Sequence, residues 1–165
     1  MRLNAYDTVL QKSAAASSVA ISSFTGSSAV TSDAFDTLGY ESLMLHIRTE
    51  IDSGGGSAST LAWKIQESAD GSTNWADAED NTGTVIGATV NTHVVAQEIY
   101  ARIEGVGLYN SATAALFGGR KRYLRTVLTP AGTGASSPTF LAYAEFIGIP
   151  GNGIQLPVRT TVSNT

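Results

Sequence analysis

The stretch Thr60-Leu61-Ala62-Trp63-Lys64-Ile65-Gln66-Glu67-Ser68-Ala69-Asp70-Gly71-Ser72-Thr73-Asn74-Trp75 decides the fold class. From Thr60 to Ser68 the residues alternate, with Leu61, Trp63, Ile65 and Glu67 on one side and Ala62, Lys64, Gln66 and Ser68 on the other. A period of two is the signature of a β-strand with one buried face. Asp70-Gly71 then supplies a strong turn signal, and Trp75 returns the chain to apolar surroundings. A second segment, Gly119-Arg120-Lys121-Arg122-Tyr123-Leu124-Arg125, has the same character of polar turn joined to strand. Neither segment contains a set of residues able to run a reaction.

Working outward, the same alternation recurs. Val19, Ile21 and Ser23 alternate with Ala20, Ser22 and Phe24 before a turn at Gly26 to Ser28. The run Asp33 to Tyr40 reads as a loop anchored by Phe35 and Leu38. Ser42 to Ile51 places Leu43, Leu45 and Ile47 opposite Met44, His46 and Arg48. Ser53-Gly54-Gly55-Gly56-Ser57 suits a mobile connection between strands. Two weaker strands are expected at Val85–Val90 and Thr92–Gln97, joined near Asn91, and another at Glu98–Val106. Gly107 to Gly119 is a long connection, Tyr123–Leu128 a strand, Thr129 to Pro138 a loop, and Thr139–Ile149 a long last strand.

No long amphipathic helix and no fixed-period repeat is apparent. Short strands separated by Gly, Asp and Asn turns predict an all-β protein, an antiparallel β-sandwich of jelly-roll-like form. One domain is expected over 19–149, with an Ala/Ser-rich N-terminal arm at 1–18 and an extended tail carrying Pro157 at 150–165.

Composition narrows the function classes. The 165 residues suffice for one domain with a proper core, and 42% hydrophobic against 15% charged residues fits a folded chain. Ten basic against fourteen acidic residues leave a net charge of −4. That balance argues against general nucleic-acid binding, where phosphate neutralisation supplies most of the affinity. With no cysteine, disulfides and thiolate chemistry are excluded. The N-terminal residues lack a secretory apolar run and no stretch reaches membrane-spanning length, so synthesis in the cytoplasm and no membrane insertion are expected.

The search for chemistry returns little. His46 and His93 have no ligand-spaced partners, so no metal is expected. The carboxylates Asp70, Asp77, Glu79 and Asp80 suggest a calcium loop, but Gly71 falls at the second position and breaks the pattern, leaving a solvated turn as the favoured reading and a looser site of loop carbonyls as the alternative. Glu67, Glu98, Glu104 and Glu145 all lie on expected strands without a spacing that marks an acid/base pair. No nucleophile elbow, phosphate loop or dinucleotide fingerprint is present. No enzyme, catalytic residue or cofactor is therefore expected. The basic run Arg120, Lys121, Arg122 and Arg125 has two readings: a contact for an acidic partner, or a strand rim pairing with the chain's own acidic loops. If Arg120 and Arg122 are on a strand, they share a face, with Lys121 and Tyr123 on the other.

Together these segments carry a resemblance. Glu67-Ser68-Ala69-Asp70-Gly71-Ser72 followed by Trp75, and Arg122-Tyr123-Leu124-Arg125 followed by a Thr/Gly/Ser loop and a strand into Gly148-Ile149-Pro150, resemble segments of tailed-bacteriophage virion proteins. The order and spacing over roughly residues 40–157 look like the small capsid decoration, or cement, proteins. The resemblance implies a β-sandwich on the capsid exterior that binds the major capsid protein, as a homo-oligomer, dimer or trimer. A neck or tail structural protein is the first alternative. A carbohydrate-binding module using Trp63, Trp75 or Tyr109 is the second. Candidate partner contacts are Arg2, Tyr6 and Leu10 in the N-terminal arm, Arg120, Lys121 and Arg122 in the basic run, and Leu156 and Val158 in the tail.

Overall fold

A computed structural model describes residues 11–12, 19–25, 28–38, 40–50, 59–80, 82–92, 96–103, 120–132 and 139–150. All regular structure among them is β, in antiparallel strands forming a β-sandwich. The strands are β1 (Gln11–Lys12), β2 (Val19–Thr25), β3 (Val30–Thr31), β4 (Phe35–Asp36), β5 (Tyr40–Thr49), β6 (Thr60–Ser68), β7 (Ala76–Asp77), β8 (Gly87–Asn91), β9 (Glu98–Ile103), β10 (Tyr123–Ala131) and β11 (Thr139–Pro150).

The first sheet has the order β1-β11-β5-β9, with β2 also on β11, and the second β3-β10-β6-β7, with β4 on β10 and β8 on β6. Each sheet is thus a long central pair, β11·β5 or β10·β6, flanked by shorter segments. The pairings nest along the chain: β2 with β11, β3 and β4 with β10, β5 with β9, β6 with β8. This is the path of one long two-stranded ribbon, rolled so that β11 meets β5 and β10 meets β6.

The core lies between the sheets. Leu43, Leu45 and Ile47 of β5, Ala142, Ala144 and Phe146 of β11, and Ile103 of β9 are buried from one side. Leu61, Trp63 and Ile65 of β6, Leu124 and Leu128 of β10, and Phe35 of β4 are buried from the other. Phe35 joins the layers, its ring 5.3 Å from Phe146 and 5.1 Å from Tyr40. Each fully buried Leu, Ile or Phe contributes about 1.5–3 kcal/mol.

Strand β6 runs over the expected residues, and its alternation is kept: Leu61, Trp63 and Ile65 are buried while Lys64 and Gln66 are only partly so. The Asp70-Gly71 turn is also present, with Gly71 at φ 74 and Asn74 at φ 51. Gly71 has a second constraint, since a Cβ there would come within 2.9 Å of the Tyr123 ring. Gly148 is its counterpart in the first sheet, where a Cβ would meet the Tyr40 ring. An aromatic ring thus lies across a strand glycine in the first sheet and across a turn glycine beside the second.

Several expectations are corrected. The loop expected at Asp33 to Tyr40 contains β4, which registers Phe35 with Leu124 and Asp36 with Tyr123. Phe35 is the buried anchor there, whereas Leu38 is 52% exposed. The strand expected from Val85 begins at Gly87, because Asp80 gathers the N–H groups of Thr82 and Thr84 into a turn and Val85 keeps only a single bridge to Glu79. Thr92, Ala96 and Gln97, the described residues of the strand expected over Thr92–Gln97, lie outside any strand. Strand β10 continues through Thr129 and Pro130 to Ala131, where a loop was expected. Pro130 is tolerated because β3 stops at the register of Leu128, so no described strand on that side needs its missing N–H. Within the expected arm, Gln11 and Lys12 pair with Gly148 and Ile147. The remainder of the 1–18 segment, and 151–165 of the tail, fall outside the described residues.

Candidate functional site

Among the described residues, polar side chains gather on the two outward sheet faces. On the first sheet, strand register sets Glu98, Arg48 and Tyr143 in one row, Tyr100, His46 and Glu145 in the next, and Arg102, Met44 and Ile147 in a third. These positions alternate with the buried residues of β5, β9 and β11, which is why they share the outer face.

His46 is the hub of this face. Its Nε2 lies 3.3 Å from Glu98 Oε1 and its Nδ1 3.5 Å from Glu145 Oε1. The Tyr100 ring stacks on the imidazole at 4.7 Å between centroids and 7° between planes, and Tyr143 approaches edge-on at 6.2 Å. The Tyr100 hydroxyl donates to Glu98 Oε1 at 3.0 Å. That bond, with smaller contributions from His46, holds the Glu98 carboxyl below its ordinary range and in turn raises Tyr100. Burial, then a hydrogen bond to Glu145, pushes the Tyr143 phenol up. Glu145 is only 5% exposed, whereas Tyr100 is 57% exposed.

The second sheet's outer face is a closed circuit of complementary groups. Lys64 Nζ donates to Asp77 at 2.9 Å, Gln66 Nε2 donates to the same carboxylate at 2.9 Å, and Gln66 Oε1 accepts from Arg125 Nε and Nη2 at 2.9 and 2.7 Å. The Arg125 guanidinium lies 4.3 Å from the Trp75 ring centroid, a cation–π contact. The Asp70 turn closes one end: its carboxylate accepts from the Thr73 hydroxyl, the N–H groups of Thr73 and Ser72, and the Ser68 hydroxyl, which together hold its carboxyl far below the usual range.

Arg120, Lys121 and Arg122 precede β10 instead of lying on it, so the alternating faces expected for them do not form. The Arg122 carbonyl is occupied by Thr37, whose N–H and hydroxyl donate to it at 2.9 and 2.7 Å. The Arg122 guanidinium forks onto Asp36 with Nε and Nη2 at 2.9 and 2.7 Å. Burial raises the Asp36 carboxyl, but Arg122 and the Leu38 N–H outweigh it and leave the group lowered. Arg120 lies 3.7 Å from Glu67, which also accepts from the Lys121 N–H at 3.4 Å. Arg120 and Arg122 therefore meet the chain's own acidic residues, while Arg125 is held by Gln66 and Trp75. The other candidate contacts, Arg2, Tyr6, Leu10, Leu156 and Val158, lie outside the described residues, as do His93, Glu104 and Tyr109.

The acidic cluster weighed for calcium is dispersed: Asp70 serves its own turn, Asp77 pairs with Lys64, and Asp80 holds the Thr82–Thr84 turn. Among the described residues no group of three or more His, Cys, Asp or Glu is placed to hold a metal ion. Of the candidate sugar platforms, Trp63 turns into the core and Trp75 is faced by Arg125. Sequence reasoning missed the His46 cluster as a unit. Each strand shows its polar alternation, but the register that brings Tyr100, His46 and Glu145 into one row joins residues distant along the chain.

No protein-family model matches this sequence, and no curated protein matches it.

Proposed function

We propose that the chain is a non-enzymatic structural protein of a tailed-bacteriophage virion, with a jelly-roll fold, that binds the capsid exterior and ties neighbouring major capsid protein subunits together. The observation that carries this reading is the nested pairing of β2 with β11, β3 and β4 with β10, β5 with β9, and β6 with β8. A ribbon rolled in this order is how a jelly roll is wound, two Greek keys in two sheets. The two segments that carry the resemblance lie side by side as β6 and β10, with Ser68 opposite Tyr123 and Glu67 opposite Leu124. They are framework, and most of their polar groups are consumed within the chain. Contacts to a shell then fall to outward faces, edges and the terminal segments, where symmetry multiplies weak contacts into avidity.

The test is the protein content of purified virions. The reading expects the chain on intact heads at a fixed ratio to the major capsid protein, with gold-labelled antibody decorating the shell. Absence from heads overturns it, and label confined to the neck or tail replaces it with that structural role.

A further inference from the structure

Strand β9 ends the first sheet, and among the described residues no strand pairs its outer edge. The direction of its backbone groups can be read from its start. Thr49 N–H donates to the Gln97 carbonyl at 2.9 Å, so Gln97 faces β5. Antiparallel pairing alternates, so Ile99, Ala101 and Ile103 also turn their N–H and C=O groups to β5. Glu98, Tyr100 and Arg102 turn theirs outward.

The side chains of those same three residues read Glu, Tyr, Arg and are all exposed. Set antiparallel against itself about Tyr100, the strand is self-complementary: Glu98 falls opposite Arg102 of the second copy, and Tyr100 opposite Tyr100. This register pairs all three outward residues as hydrogen-bonded pairs and places opposite charges together at both ends. Shifting it by two residues puts Glu98 opposite Tyr100 and leaves an outward residue unpaired. The core side agrees, because Ile99 and Ala101 stay half-exposed while their β5 partners Ile47 and Leu45 are fully buried. In the paired form Ile99 meets Ala101 of the other copy and the apolar layer runs on without a break.

We propose that β9 is a homodimerisation edge, pairing with β9 of a second copy about a two-fold axis at Tyr100 to make one continuous sheet. The interface is isologous and closes at two chains. It does not rest on the virion reading, and its test needs no capsid.

The chain has no native cysteine, so single cysteines report the register cleanly. Tyr100→Cys is expected to cross-link to itself under mild oxidation or with a short thiol-to-thiol reagent, because hydrogen-bonded antiparallel partners have Cα atoms about 5.5 Å apart. Glu98→Cys and Arg102→Cys are expected not to link to themselves, since their own copies lie about 13 Å away along the strands, but to link when mixed. Glu98→Arg places like charges together and is expected to weaken the dimer about tenfold or more in sedimentation equilibrium, with Glu98→Arg/Arg102→Glu restoring it. A monomer or trimer at about 100 µM, or a dimer whose Tyr100→Cys form fails to self-link while the charge swap has no effect, overturns the proposal.

Discussion

The two sheets share one plan and use their outward surfaces differently. In each, a long antiparallel pair is flanked by short segments, and a tyrosine of the sheet lies over a nearby glycine, Gly148 within β11 or Gly71 in the turn after β6. The second sheet closes on itself: Lys64, Gln66, Asp77, Arg125 and Trp75 satisfy one another, and Arg122 is taken by Asp36. The first sheet's groups also engage one another, with His46 between two carboxylates, but Tyr100 stands exposed at the margin on an edge strand that carries Glu98 and Arg102. Arg120 and Arg122, prominent in the sequence by charge, thus engage Glu67 and Asp36 of the chain itself, while the His46 cluster is built of residues that look ordinary strand by strand.

The largest expected effect breaks what both faces share. Phe146→Ala removes a fully buried ring stacked on Phe35 across the layers and is expected to cost about 3–5 kcal/mol, measured by urea denaturation. A loss below about 1 kcal/mol would mean that the two sheets do not meet there.

Next comes the turn that closes the second face. Gly71→Ala forces a Cβ onto a left-handed backbone and against Tyr123, and is expected to destabilise by about 1–3 kcal/mol. The same substitution at Gly83, which has φ 80 but where a Cβ would meet only Glu79 Oε2 at an ordinary 3.9 Å, is expected to cost less, about 1 kcal/mol. Equal losses at the two sites would remove the packing role assigned to Tyr123.

Acid sharpens the contrast between faces. Lys64, and after it Gln66, hold the Asp77 carboxyl below its ordinary value of 3.8. A carboxyl lowered in the folded state contributes stability that is present above its unfolded value and is lost as pH falls through its folded value. Stability is therefore expected to decline as pH drops below about 4, and Asp77→Asn is expected to flatten that decline. An unchanged acid limb in the variant would show that the circuit adds nothing.

The smallest effect on folding is expected at Tyr100. Tyr100→Ala removes an exposed side chain and should change monomer stability by about 0.5 kcal/mol or less, in thermal melts at a concentration where the chain is monomeric. A large loss would make the His46 stack a structural element of the sheet instead of an outward surface.

Much of the fold was legible because burial imposes a two-residue period. Strand β6 was read to its ends since both faces differ in polarity and Asp70-Gly71 stops it. Strands β5 and β11 follow the same logic. The short β4 escaped, since two residues are too few to show a period, and β8 was expected with its start two residues early because it lies at a sheet margin where no face is fully buried. Pro130 misled because its cost depends on what lies alongside, which is a property of the assembled sheet. The site was less legible still. Arg120 and Arg122 stood out by charge, yet their partners Glu67 and Asp36 come from other strands. Tyr100, His46 and Glu145 become neighbours only through the β9·β5·β11 register.

On the proposed function, this sandwich acts by seating on a shell. Titration of purified protein onto capsids lacking it, followed by co-sedimentation, tests that most directly. Binding that saturates at a fixed ratio to the major capsid protein and raises the capsids' resistance to heat is the predicted result. Binding that never saturates, or capsids that sediment without the protein at every concentration, would contradict it.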